Sequence, residues 1–287
     1  MDIGFVASGS PTEVLKRAAR LGFDGVELCF DWGGPCDLEH WTPGDTARVR
    51  DLIAETGVKI LTVASFGPVH LSPDKQARER AETEMARAIE LAPQLGAKVV
   101  TCMAFGDRNT RPEAQVAVFG QVFGEYARRA EDHGVRIGIE NWPAVIASDA
   151  IRIGNLAHSP AMFERLFDAV PSRAVGLEFD PSHLMWQGAD PIKAIQRFAD
   201  RLVFLHAKDT EVLNDRLDHT GIYGDGWWRY RLPGMGDLDW NAFARAVAEV
   251  GYSGGIVIEH EDPLFEGERF EEGLAIGLKF LRQVMLR

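Results

Sequence analysis

Short runs dominated by Val, Ile and Leu recur along the chain, and between them lie longer stretches in which apolar residues return every three or four positions. The first kind of run suits a strand buried on both faces and the second an amphipathic helix, so their alternation predicts βαβ units around a parallel sheet. The strands read as Ile3–Ala7, Gly25–Cys29, Lys59–Ala64, Lys98–Met103, Arg136–Glu140, Ala174–Phe179, Leu202–His206 and Gly255–Glu259. Eight such units fit an α/β fold, a (β/α)8 TIM barrel, as a single domain over residues 1–287.

Punctuation supports the helices. Ser10-Pro11 stands before Thr12–Leu21, Thr42-Pro43 before Asp45–Thr56 and Ser72-Pro73 before Asp74–Leu95, each placing a capping hydroxyl ahead of proline. Gly22, Gly57, Gly96, Gly134 and Gly251 each follow an apolar-periodic stretch and precede a strand, where a left-handed helix stop belongs. One piece breaks the rhythm. Between the seventh strand and its helix, at about 209–239, lies an irregular segment containing His219, Tyr223, Trp227, Trp228, Tyr230 and five glycines. A loop of such length is expected to be a functional lid or an oligomer contact.

Composition narrows the function classes. With 46% hydrophobic and 26% charged residues the chain reads as an ordinary globular protein. Its apolar runs are far short of the roughly 20 residues needed to span a bilayer, so no membrane partner is expected. The start, Met1-Asp2-Ile3-Gly4-Phe5-Val6, reads as a first strand rather than a secretory leader, which makes a cytoplasmic location the expectation. Cys29, Cys36 and Cys102 form no CxxC pair and are expected to be buried thiols. A formal charge of −12 argues against a nucleic-acid partner and for a neutral small molecule.

The chemistry lies at the strand ends, because in a barrel of this kind the C-terminal ends of the strands converge on one mouth. The fifth strand ends in Glu140-Asn141, the sixth in Asp180-Pro181-Ser182-His183, the seventh in His206-Ala207-Lys208-Asp209 and the eighth in Glu259-His260. Taken singly, a glutamate in such a place is more often a cap or a salt-bridge partner. Four successive strands, however, deliver three carboxylates and one imidazole together. Carboxylates this close could not all stay ionised unless a cation sat among them. Glu140, Asp180, His206 and Glu259 are therefore the expected ligands of one divalent metal ion. An oxygen-rich set with one nitrogen favours Mn²⁺, with Mg²⁺, Co²⁺ or Zn²⁺ also fitting.

These motifs, with Pro233-Gly234-Met235-Gly236-Asp237-Leu238-Asp239-Trp240, resemble the xylose isomerase-like superfamily of sugar isomerases and epimerases over nearly the whole chain. The resemblance implies a metal on the same four residues, with His183 contacting substrate or metal-bound water. Apurinic endonucleases of similar pattern carry further zinc ligands where this chain has Trp228, Arg229 and Tyr230, which speaks against a DNA-repair role. Tagatose 3-epimerase-like enzymes look closer, with an arginine before Pro-Gly-x-Gly matched here by Arg231 and by Arg229. The segment ahead of that motif is longer here, and Trp227 and Trp228 would suit a sugar ring or an aglycone. The other reading, that they bury an interface in a homodimer or homotetramer, stays open.

The expected chemistry is metal-dependent isomerisation or epimerisation of a carbohydrate. A metal-stabilised enediolate would form and collapse, with Glu140 and Glu259 as catalytic acid and base on opposite substrate faces. A lyase or dehydratase expelling a β-leaving group from a keto-sugar or oxidised glycoside is the alternative; a non-catalytic sugar-binding barrel is a third. Lys208 would stabilise oxyanion charge or act as an acid, or else pair structurally with Asp209. Glu27 and His70 follow the second and third strands and are expected to bind substrate hydroxyls. Glu178 shares the strand face of Asp180 and lies at the mouth or one layer deeper, paired with a basic residue.

Overall fold

The computed structural model describes residues 1–31, 33–147 and 151–285. Eight parallel strands close on themselves in the ring order β1 (Ile3–Ala7), β12 (Ile256–Ile258), β9 (Leu202–Ala207), β8 (Val175–Phe179), β5 (Arg136–Glu140), β4 (Val99–Cys102), β3 (Lys59–Ser65) and β2 (Gly25–Cys29). All eight expected strands are present, within two residues at either end. Helices surround them, among them α1 (Pro11–Leu21), α2 (Pro43–Thr56), α3 (Lys75–Leu91), α4 (Val116–His133) and α5 (Pro160–Ala169). Their apolar stripes press on the barrel. In α4, for instance, Phe119, Phe123, Tyr126, Ala127 and Ala130 are buried at helical spacing.

The helix ends follow the sequence signals with two exceptions, the first being Ser10, which holds the N-cap position of α1 but makes no capping bond through its hydroxyl. Thr42 and Asp45 form a reciprocal capping box on α2. At α3, however, the cap is Asp74, which accepts from Ala77 N at 2.8 Å, and not Ser72. Ser72 instead accepts from Asp74 N, one step before the helix begins. The C-terminal stops at Gly22, Gly57, Gly96 and Gly134 all have positive φ, as does Gly251.

Two small antiparallel sheets decorate the mouth. β6 (Val145–Ala147) pairs with β7 (Ile151–Ile153) just after β5. The expected irregular segment at 209–239 is also ordered: β10 (Asp209–Val212) pairs with β11 (Trp228–Arg231), and α8 (Asn214–Thr220) lies between them. The alternation that sets a barrel strand is absent here, and the sheet forms because Asp209 fixes the return of the chain. Its carboxylate accepts from the backbone N–H groups of Thr210, Gly234, Gly236 and Leu238 and from Trp240 Nε1 at 2.8–3.1 Å. A side chain at Gly236 would meet Thr210 O at 2.5 Å as well as the Asp209 carboxylate, which explains the glycine. The remaining helices are α6 (Pro181–Trp186), α7 (Pro191–Arg197), α9 (Trp240–Glu249) and α10 (Phe270–Val284). Among the described residues, no helix is long and apolar enough to cross a membrane.

Candidate metal centre

Glu140 is the last residue of β5, Asp180 follows β8, His206 lies within β9 and Glu259 follows β12, so four neighbouring strands aim their ends at one point. Local bonds fix each of them. Asp180 is the N-cap of α6: its Oδ1 accepts from Ser182 N at 2.7 Å, leaving Oδ2 turned into the mouth without a hydrogen bond. The Asn141 amide accepts from Asp180 N and donates to Asp180 O, clamping that strand end to β5. Asn155 Nδ2 holds Glu140 O at 2.7 Å.

The donor atoms form a cage. Glu140, Asp180, His183 and Glu259 each present one within 4.8 Å of the others. His206 Nδ1 stands 3.1 Å from Glu259 Oε2, 3.4 Å from Glu140 Oε1 and 3.8 Å from Asp180 Oδ2. The four expected ligands are thus brought together, and His183 is as deep as His206, with Nε2 at 3.3 Å from Glu140 Oε1 and 3.5 Å from Asp180 Oδ2.

Lys208 is the surprise of the site. It is 1% exposed, with Nζ at 2.6 Å from Glu259 Oε2, 2.9 Å from Glu261 Oε2 and 3.3 Å from Asp180 Oδ2, over the ring of Tyr230. The pairing with Asp209 expected as one alternative does not occur, because Asp209 is consumed by the turn it organises. Burial works against charge throughout the cage. At Asp180 it is outweighed by Lys208 and His183, which hold the carboxyl well below the usual carboxylate range. Hydrogen bonds from His183 and His206 do the same at Glu140. Lys208, though buried, is held well above the ordinary lysine range by Glu259, Asp180 and Glu261.

Other expected contacts lie elsewhere. His70 is 0% exposed, with Nδ1 3.2 Å from the Tyr126 hydroxyl and its ring edge-on to Phe123. It packs against α4, and its Nε2 is buried without a hydrogen-bond partner. Glu27 is also fully buried, one layer beneath the cage, bonded to His206 Nε2 and Thr101 rather than open to a substrate hydroxyl. Glu178 occupies that deeper layer too; burial, reinforced by Glu27, pushes its carboxyl well above the ordinary range.

Arg231 is spoken for by Asp262 at 2.9 Å and Glu211 at 2.7 Å, and Arg229 by the same Glu211 oxygen at 2.7 Å. Trp227 is buried within the β10–β11 lobe and donates to Ile222 O, while Trp228 lies flat on Trp186, with centroids 4.8 Å apart. One face of Trp228 is therefore already covered. Sequence reasoning gave no site role to Tyr230, whose hydroxyl reaches His183 Nδ1 at 2.9 Å, or to Glu261. The second acid close behind Glu259 at the end of the eighth strand was the available signal for Glu261.

The chain spans about half the length, or less, of the curated relatives it matches. It is 31% identical to the uncharacterised protein YfiH of Bacillus subtilis (strain 168) over 169 residues, 55% of this chain and 50% of that one. It is 29% identical to an inosose dehydratase of Lacticaseibacillus casei over 126 residues, 42% of each. Among solved structures it is similar to the 3-keto-D-glucoside 4-epimerase YcjR from E. coli (TM-score 0.76, 17% identity, 99% of both chains). It also resembles the IOLI protein with a bound zinc atom (TM-score 0.75, 20% identity, 99% of this chain and 98% of that one). At such identities the structural likeness shows the fold alone. The profile of the family described as xylose isomerase-like TIM barrel matches residues 15–284, and the chain belongs to that family.

Proposed function

We propose that this chain is a divalent-metal-dependent enzyme that isomerises or epimerises a sugar or sugar-like keto compound by moving a proton beside its carbonyl. The observation behind the reading is the charge balance of the cage. Glu140, Asp180, Glu259 and Glu261, with Glu27 beneath, are five carboxylates facing Lys208, His183 and His206, so even with both imidazoles protonated and the buried Glu178 carboxyl neutral two negative charges stand uncompensated. The fully buried Asp180 Oδ2 makes no hydrogen bond, its nearest positive charge being the Lys208 ammonium at 3.3 Å, and a metal ion in the cage would satisfy it.

The donor set fits a divalent ion held by Glu140, Asp180, His206 and Glu259, with manganese favoured by the oxygen-rich ligation. Such an ion acts as a Lewis acid that polarises a carbonyl and acidifies the neighbouring C–H. Glu140 and Glu259 stand three places apart around the ring, across β8 and β9, so they can address a substrate from two sides. One takes the proton to leave an enediolate and the other returns it. His183 and Lys208 bind the substrate oxygens, and the Trp228 and Tyr230 rings border their approach. Arg231 and Arg229, neutralised by Glu211 and Asp262, brace the rim. The location proposed is the cytoplasm.

Elimination of a β-hydroxyl from a keto-sugar or inosose is the second reading, supported by the inosose dehydratase relatives and by a buried ammonium beside Glu259 that would stabilise negative charge on a leaving oxygen. Incubating the Mn²⁺-loaded protein in D₂O with ketoses, keto-glycosides and inososes separates the two. Deuterium beside the carbonyl without loss of a group supports the isomerase or epimerase, and release of water supports the dehydratase. Absence of exchange in every candidate with the ion bound would leave a sugar-binding barrel and sink the catalytic reading.

A further inference from the structure

His206 has a second face. While Nδ1 looks up into the cage, Nε2 points into the barrel, 3.0 Å from Glu27 Oε2 and 3.1 Å from Glu178 Oε1. All three side chains are buried, and the other oxygen of Glu27 is held by Thr101 Oγ1 at 2.5 Å. Glu178 follows from strand geometry: two residues before Asp180 on the same strand, it shares the inward face one layer down. It comes from β8, directly beside β9, whereas Glu27 comes from β2, three places away across β12 and β1, so the imidazole is gripped from two directions.

We infer that Glu27, which accepts the Nε2–H of His206, and Glu178, a second carboxyl group 3.1 Å from that nitrogen but without a hydrogen bond, are positioning residues that present the Nδ1 lone pair to the cation. This rests on the proposed metal reading and names the device that would make its single nitrogen ligand work. An imidazole coordinates through a nitrogen free of its proton, and the proton then sits on the other nitrogen. A buried N–H needs an acceptor, and a ring with an acceptor on one side only keeps freedom to rotate. Glu27 supplies the acceptor, and the Glu178 carboxyl on the other side restrains the ring. The same three groups could in principle grip a second cation, but His206 would then have to lose both ring protons and bridge two ions; one N–H given to Glu27 beside a second carboxyl demands no such step.

The test uses the full chain, with Zn²⁺ as the probe because it is diamagnetic. Zinc affinity is measured by competition with a chelator, and the His206 ring is followed by NMR in histidine-¹⁵N-labelled protein. Wild type is expected to bind one Zn²⁺ with a slowly exchanging, strongly downfield Nε2–H. Glu27→Met and Glu178→Met should each weaken zinc about 10- to 100-fold and displace that resonance. Glu27→Gln and Glu178→Gln, whose amide oxygens can still accept, should restore much of the affinity. If the methionine variants do not fold, a shift of the Nε2–H in the glutamine variants decides instead. Unchanged affinity and an unchanged resonance in folded variants would overturn the assignment, as would a second zinc per chain that disappears with Glu178. A wild type that takes up no zinc removes the cage reading itself, so the two failures are told apart.

Discussion

The Tyr230 hydroxyl and His183 Nδ1 share a hydrogen bond at 2.9 Å, while His183 Nε2 faces the Glu140 carboxylate at 3.3 Å. A carboxylate only accepts, so Nε2–H points at the cage and the phenol orients the ring from its other nitrogen. Tyr230→Phe should lower kcat about 10-fold with KM and metal affinity nearly unchanged, since it removes an orienting bond rather than a ligand. Steady-state kinetics beside a zinc titration check this, and a variant that loses metal instead would make Tyr230 part of the cage's support.

Loading the cage should stabilise the fold, because an ion bound only by the native state relieves its excess negative charge. At 100-fold excess over Kd the gain is about 2.7 kcal/mol. Thermal melts with and without Mn²⁺ should show a rise in Tm that vanishes in Asp180→Asn and Glu140→Gln, with turnover lost in Glu140→Gln and Glu259→Gln. A full ion-dependent rise in Asp180→Asn would place the ion elsewhere.

The β10–β11 lobe should depend on the Asp209 carboxylate. Asp209→Asn replaces an acceptor-only group with one that presents an amide to N–H donors, and a loss of about 2 kcal/mol is expected. Gly236→Ala should cost about 1–3 kcal/mol by pushing on Thr210 O. Both should loosen Tyr230 more than the barrel. Hydrogen exchange that leaves β10 and β11 as protected as in wild type would contradict this.

His70 gives a pH signature. Burial lowers its pKa from 6.5 to about 3, so below pH 6.5 the unfolded chain takes up a proton that the folded protein refuses. Its stability contribution is complete above 6.5 and is lost as the pH falls towards 3. Between pH 7.5 and 5.5 the loss amounts to about 1.4 kcal/mol. Unfolding free energies from urea titrations at those two pH values should differ less in His70→Phe by that amount; equal differences would mean that the folded protein protonates His70.

Periodicity alone settled the barrel. Each βα unit is a local hydrophobic pattern, several of them marked by a proline before the helix or a glycine after it, and parallel strands covered by helices leave little choice of assembly. The residues at the strand ends were legible for the same reason: strand direction fixes which end of each run faces the mouth, and so Glu140, Asp180, His206 and Glu259 could be gathered from the sequence. Depth and partnership could not. Whether Glu27 meets a substrate or an imidazole depends on its layer inside the closed barrel, and His70 turned toward Tyr126 because α4 offered it an apolar pocket. Arg229 and Arg231 are held by Glu211 and Asp262, and Lys208 by Glu259 and Glu261, through pairings between segments far apart in the chain, or across the β10–β11 sheet, that only the folded geometry creates. Local pattern specifies elements because their bonds run between near neighbours, whereas a charged side chain takes its partner from whichever strands and loops closure brings within about 3 Å.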